Sequence, residues 1–452
     1  MRFFLFLFFG FNVFNTQSQT DIDTSFQTGI GFNNPVYSIV IQPDEKIIVG
    51  GFFETYQGVP AKRIIRLNSD GSRDTSFDME EGFDNVVYKI VLQEDGKILV
   101  GGRFENYQGV PANRIIRLNS DGSRDTSFDM EDGFTTGSSI NYIVNSIVLQ
   151  NDGKIIVGGS FTSYQGASAN RIIRLNNDGS RDTSFQINGG LIGDLYDIMI
   201  QPDEKIVAAG QFTQYQGVPV RRVVRINPDG SRDTSFDVGN GFPSGILYAL
   251  AIQSGGKIVI GGDFSTFQDN PAHKIVRLNS DGSRDTSFVT GEWEIDNNNI
   301  LSISSLYAQA DGKILVGGSF TSYNGVPVSR LIRLNNDGSR DESFDVGSGF
   351  TSSSNNRVST LAVQTDGKLL AGGWFFNYKG SQAGCIVRLS TDILSVNEPK
   401  QDFVKIYPNP VNNGFLYVVS EENTQKILQI YDASGRKVID NLSSIIKMQL
   451  TD

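Results

Sequence analysis

Arg114-Ile115-Ile116-Arg117-Leu118-Asn119-Ser120-Asp121-Gly122-Ser123-Arg124-Asp125-Thr126-Ser127-Phe128 reads as an apolar strand, a tight Asp-Gly turn and a second short strand. Its closing signature, Asp-Thr-Ser-Phe, recurs at Asp23, Asp74, Asp125, Asp182, Asp233 and Asp285, with Asp-Glu-Ser-Phe at Asp341. Successive spacings are 51, 51, 57, 51, 52 and 56 residues. A fixed period of this size means repeat architecture, in which each unit buries its apolar faces against its neighbours.

Each unit holds four strand-like runs, at 36–42, 46–53, 63–68 and 72–77 in the first copy, rich in Ile, Val, Leu and Phe. Two Asp-Gly hairpins recur, one before the Gly-Gly strand (Asp95-Gly96, Asp152-Gly153) and one after the Arg-Leu-Asn strand (Asp70-Gly71, Asp121-Gly122). Type I′ turns, with positive φ at both central residues, are expected there. The other two connections are longer and fall on the opposite face. Seven Gly-Gly-type strands and seven Arg-Leu-Asn-type strands give seven units, yet the seventh stops at Leu389-Ser390 without its closing signature. The spare copy, Asp23-Thr24-Ser25-Phe26, lies at the N-terminus. This offset predicts an all-β, seven-bladed β-propeller over residues 20–390, closed by the N-terminal strand and built of four-stranded blades. An open solenoid would need capping repeats instead.

Arg2 and the apolar run at 3–14, followed by polar Asn15-Thr16-Gln17-Ser18-Gln19, read as a secretory signal peptide over residues 1–19. The run is too short to span a bilayer, and no transmembrane helix is expected elsewhere. One cysteine, Cys385, excludes an intrachain disulfide. Asp plus Glu number 50 against 39 Lys plus Arg, a net charge of −11 that argues against a nucleic-acid partner. A monomer is expected.

The repeated pattern Gln-x-Asp-Gly-Lys-Ile-x-Val-Gly-Gly-x-Phe, then Arg-Ile-x-Arg-Leu-Asn-x-Asp-Gly-Ser-x-Asp-x-Ser-Phe, resembles the delta-sixty repeat of bacterial secreted β-propellers. The resemblance covers residues 21–390 and implies fold and export; it brings no ligand and no catalytic residues. After a polar linker at 391–402, residues 403–452 resemble the C-terminal sorting domain of the Bacteroidetes type IX secretion system. The matching residues are Tyr407-Pro408-Asn409-Pro410 and the strand-turn-strand around Gly435. That resemblance implies a small β-sandwich and the type IX translocon as an export partner, with surface anchoring or release afterwards. The family ends with a further Gly-Tyr-type strand and a basic finish; Leu450-Thr451-Asp452 departs from it and reads as a truncated domain.

Catalytic chemistry finds little support in the residue inventory. The single histidine, His273, sits in a loop where aligned repeats carry Lys62 and Asn113. Asn68-x-Asp70-Gly71-x-x-Asp74 tests as a calcium loop, but it lacks the further ligands of an EF-hand, and a hairpin accounts for the same residues. No cofactor is expected beyond that calcium option. The recurring aromatics Tyr56, Tyr107, Tyr164, Tyr215, Phe267, Tyr323 and Tyr378 suit blade packing better than a sugar platform.

Function is expected where the repeat is broken, in the lengthened connections around 134–142, 291–299 and 349–357. Ligand-binding candidates are Trp293, Glu292, Glu294, Tyr142, Asn355 and Arg357, with Trp293 foremost. The leading reading is a secreted or cell-surface, non-enzymatic module that binds glycan or protein through its long-loop face. The alternatives are a carboxylate-dependent glycan-degrading enzyme using Glu292, Glu294 or Asp296, and a purely structural surface scaffold.

Overall fold

A computed structural model describes residues 21–134, 142–295, 301–352 and 356–390, and five backbone strands beyond residue 404. The signal-peptide reading at 1–19, the linker at 391–402, and Asn355, Asp296 and Gly435 lie outside the described residues. The chain divides into two compact units, residues 1–395 and 396–452.

Every repeat folds into an antiparallel sheet ordered as in the chain, Val36–Ile41, Ile47–Gly51 and Ile64–Leu67 in the first copy. No helix occurs among the described residues. The first five positions of the middle strand are buried in every repeat, because repeats pack on both of its faces. Burial on both faces explains why these strands read as continuous apolar runs rather than alternating ones. The glycine pair ending this strand permits that packing. A Cβ on Gly51 would lie 2.2 Å from the Pro35 carbonyl oxygen, and one on Gly50 would lie 2.6 Å from Val87 Cγ1 of the next repeat.

The turns differ from expectation. Gly96 has φ +83° and Gly71 φ +85°, whereas Asp95 and Asp70 keep negative φ. Gly96 N–H donates to Gln93 O at 3.0 Å and Gln93 N–H to Lys97 O at 2.8 Å, a type I turn followed by a left-handed glycine. The Asp carboxylate accepts Lys97 N–H at 3.0 Å, so one positive φ suffices where two were expected.

The expected fourth strand is also shorter than predicted. Only one bridge, Leu67 to Arg73, joins it to the sheet. Asp74 then accepts both the N–H and the hydroxyl of Ser76, at 2.9 and 2.7 Å, and turns the chain out of the ladder. In exchange, each repeat gains a small hairpin in its longer connection, such as Thr55–Tyr56 with Val59–Pro60, and Phe32 of the preceding connection bridges to Tyr56.

A buried ionic latch joins successive repeats. Arg117 is 3% exposed; its Nε donates to Asp125 Oδ2 at 2.6 Å, and its Nη1 donates to the Asn177 carbonyl of the next repeat. The guanidinium lies 4.9 Å from the Phe128 ring centroid, and Lys97 Nζ approaches Asp125 Oδ2 at 3.0 Å. Burial alone would raise the Asp125 pKa; the donors from Ser127, Lys97 and Arg117 outweigh it and hold the carboxyl well below the usual carboxylate range. Two cations and two Ser127 donors on one carboxylate provide the compensation that buried charge requires.

The same latch recurs with Arg388, which donates to Asp23 Oδ2 at 2.8 Å, to Ser25 Oγ at 2.9 Å and to the Ser69 carbonyl. Ile22 bridges to Leu389, and Asp23 N–H donates to Arg388 O at 2.9 Å. Each first strand of a repeat lies against the first strand of the next, and Val36–Ile41 also lies against Arg357–Val363.

The C-terminal unit contains two antiparallel sheets. Lys405–Asn412, Phe415–Val419 and Ile446–Gln449 form one, and Gln429–Tyr431 with Lys437–Asp440 the other. Tyr407, Pro408, Asn409 and Pro410 fall inside the first of these strands.

Candidate functional site

The first strands of all seven repeats line one axial cavity of about 400 Å³. Its walls explain themselves in two steps. Each first strand carries a bulge near its start, as between Val36 and Ser38; the second residue, inside the bulge, lines the cavity in all seven repeats, and the third does so in every repeat but that of Ser146. The third residue also links repeats: Ser38 Oγ accepts Ile90 N–H at 3.0 Å, and Ser146 Oγ accepts Ile198 N–H at 3.2 Å. Asp197 does this with a carboxylate, accepting Leu250 N–H at 2.9 Å and the Ser146 hydroxyl at 3.1 Å. Burial raises the Asp197 pKa, with Lys89 and these donors opposing.

At the second position the seven repeats diverge, into Tyr37, Tyr88, Asn145, Tyr196, Tyr248, Ser304 and Ser359. These residues sit where each first strand leaves the long inter-repeat connection, so the four tyrosines stand at the long-loop mouth of the cavity. Tyr37 and Tyr88 rings lie 5.3 Å apart at 33°, and Tyr196 and Tyr248 lie 5.4 Å apart, edge to face. Burial raises the pKa of Tyr88, and of Tyr196 with help from Asp194; burial with Asp263 pushes Tyr248 up to about 12. All three hydroxyls therefore stay protonated near neutral pH.

Charge of both signs surrounds the mouth, and Arg357 acts on Tyr248 as well as on Tyr88. Arg103 and Arg357 act on Tyr88, and the Arg357 guanidinium lies 5.9 Å from the Tyr37 ring centroid. Asp194 and Asp263 act on Tyr196. The acids are engaged: Asp194 pairs with Arg171 at 3.3 Å, and Asp263 Oδ1 accepts Ile246 N–H at 2.5 Å.

Of the residues singled out from sequence, Arg357 lies over Tyr37, which lines the cavity. Trp293 does not, and the expectation that it contacts ligand is corrected. It is 6% exposed and packs at 4.7 Å on Phe320 and 4.6 Å on Tyr323. Phe32, Phe83 and Phe134 fill the same place in their repeats, so Trp293 is a core residue in a loop that looked exceptional.

Glu292 is exposed and pairs with His273 Nδ1 at 3.1 Å. Glu294 accepts the Ser322 hydroxyl at 2.5 Å. Tyr142 is partly buried, and its carbonyl accepts Arg114 Nε at 3.1 Å.

The recurring aromatics are buried, and Tyr107 Oη donates to Gly122 O at 2.7 Å. In the turn tested for calcium, Asp70 Oδ1 accepts Ser72 N–H and hydroxyl at 2.9 and 2.7 Å, while Asn68 Nδ2 donates to Ser72 Oγ at 2.9 Å. No group of three or more His, Cys, Asp or Glu able to hold a metal ion occurs among the described residues. The channel tyrosines went unnoticed in sequence because a Tyr in a strand is ordinary; comparing the second position across repeats exposes them.

The family described as domain of unknown function (DUF5122) beta-propeller matches residues 42–77, 93–128, 150–185, 201–236, 253–288, 309–344 and 364–392. No curated protein matches the sequence. Among solved structures, the extracellular domain of a putative one-component system from B. thetaiotaomicron is 14% identical, TM-score 0.48, covering 96% of this chain and 48% of that one. PorZ, a surface component of the type-IX secretion system of Porphyromonas gingivalis, is 14% identical, TM-score 0.46, over 92% of this chain and 55% of that one. A catalytically inactive virginiamycin B lyase from Staphylococcus aureus, solved with quinupristin, is 13% identical, TM-score 0.45, over 82% and 98%. The chain thus spans about half the length of the first two.

Proposed function

This chain belongs to the DUF5122 β-propeller family, and we propose that it is an exported, non-enzymatic binding module that takes saccharides at the long-loop mouth of its axial cavity. One observation carries the reading: seven otherwise equivalent strands place an aromatic set, Tyr37, Tyr88, Tyr196 and Tyr248, around a single cavity. Blade packing does not demand these rings, since Asn145, Ser304 and Ser359 serve the same strand position elsewhere. Tyrosine offers a flat apolar face to a sugar ring and a hydroxyl to its polar edge.

A non-catalytic role is supported by Glu292 and Glu294, which are exposed on the surface and hydrogen-bonded there. Export is supported by the leader-like residues 2–19 and by the sorting-domain resemblance around Tyr407 and Gly435, which would make the type IX translocon a transient partner. In the same reading residues 21–26 close the ring as a clasp, supported by the Arg388 contacts to Asp23 and Ser69.

The test is a saccharide array probed with the full chain and with a Tyr88→Ser/Tyr248→Ser variant, the residue that two other repeats carry. Binding by the native chain that falls about tenfold or more in the variant is expected, as for loss of buried aromatic anchors. A blank array with folded protein rejects the reading.

A further inference from the structure

Two polar atoms on one cavity-lining strand have no use within the fold. Arg357 Nε and Ser359 Oγ are both buried and lack a hydrogen-bond partner. They lie two residues apart on Arg357–Val363, the first strand of the seventh repeat. Orphaned buried donors are costly, and native proteins leave few without a ligand or water to satisfy them. Arg357 is also singular by position. Equivalent residues at the head of the other six strands are Pro35, Val86, Ile143, Asp194, Ile246 and Ser302, so nothing in the repeat architecture asks for a cation there.

The surroundings sharpen the chemistry. The latch arginines such as Arg117 and Arg277 have carboxylate partners, whereas Arg357 and Arg103 have none among the described residues. Both act on Tyr88, whose ring is paired with Tyr37 beneath Arg357. An acidic chain of net charge −11 thus holds two guanidinium groups without carboxylate partners near the cavity-lining tyrosines Tyr37 and Tyr88. Guanidinium is the side chain best matched to a planar carboxylate, which it can hold by two parallel N–H···O bonds.

We propose that the part of the cavity mouth beside Arg357 and Arg103 is a subsite for the carboxylate of an acidic saccharide, a uronate, whose ring rests against Tyr37 and Tyr88. Arg357 and the Ser359 hydroxyl supply donors to the carboxylate, and Arg103 adds charge from the second repeat. Asp194 and Asp263, already engaged, disfavour the acid beside Tyr196, on which both act. The inference rests on the saccharide-binding reading and adds the ligand class and the residue that selects it.

The experiment is calorimetric titration of the full chain with trigalacturonate and, in parallel, with a neutral galactose trisaccharide. The acidic sugar is expected to bind at least about tenfold more tightly, and Arg357→Gln to remove about tenfold of that affinity, the worth of one charged hydrogen bond. Arg103→Gln serves as a second variant, expected to weaken the acidic sugar alone and to make its binding less sensitive to salt. Unfolding temperatures of both variants show whether the fold is kept. Equal affinity for the two sugars, with both arginine variants indifferent, overturns the uronate subsite and leaves saccharide binding standing. Absence of binding by either sugar, together with a blank array, overturns both.

Discussion

Replacing Asp23 by Asn probes the N-terminal clasp through a single carboxylate. Burial raises the Asp23 pKa, but the Ser25 hydroxyl and N–H, Lys368 and Arg388 outweigh it and lower the value from 3.8 to about 2. With its side chain 12% exposed, that lowering corresponds to about 2 kcal/mol of folded-state preference for the ionised form. Asparagine keeps the shape and loses the charge, leaving Arg388 with Gln364, Ser25 and the Ser69 carbonyl. Unfolding entropy of about 2 cal/mol/K per residue, summed over a ring of this length, turns 2 kcal/mol into a fall in Tm of about 3 °C.

The sign with pH follows from the depressed pKa. Asp23 stabilises fully above about pH 4 and loses that contribution as pH falls towards about 2. Native and Asp23→Asn chains should therefore differ at neutral pH and converge across that window, as followed by circular dichroism melts. Equal Tm values at pH 7 would refute the clasp, since an unpaired N-terminal segment could not care about its charge.

Other perturbations read different parts of the fold. Trp293→Ala should cost about 3–5 kcal/mol in denaturant unfolding, as a core truncation, while Trp293→Phe should cost far less because other repeats hold Phe there. Gly51→Ala should destabilise by about 1–3 kcal/mol, since its Cβ would sit 2.2 Å from the rigid Pro35 carbonyl; equal stability would contradict the close approach. Tyr107→Phe removes a buried hydroxyl bond to Gly122 O and should cost about 1 kcal/mol by the same measurement. Asp125→Asn should cost about 3–5 kcal/mol, because Arg117 would remain buried without a full counter-charge.

Repeat number and strand order were legible because the Asp-Gly turns and Asp-x-Ser-Phe signature recur with little variation. Finer features depended on side-chain use that periodicity hides. Asp95 accepting Lys97 N–H lets the hairpin turn with one left-handed residue, and Asp74 capping Ser76 ends the fourth strand early. Trp293 misled because rarity suggested surface function, whereas its alignment with Phe32 and Phe83 in the connection fixes it as core. Arg357 was reached through the broken repeat. Tyr37, Tyr88, Tyr196 and Tyr248 were missed because the cavity they share forms only when strands more than fifty residues apart meet.

The most direct measurement is hydroxyl-radical footprinting of the full chain, read by mass spectrometry, with and without the strongest saccharide ligand. Protection should concentrate at Tyr37, Tyr88, Tyr196 and Tyr248, while exposed apolar residues such as Val59 and Val110 on the hairpins stay unchanged. Protection confined to the hairpins or elsewhere on the surface, with the four tyrosines unaffected, would contradict a binding site at the cavity mouth.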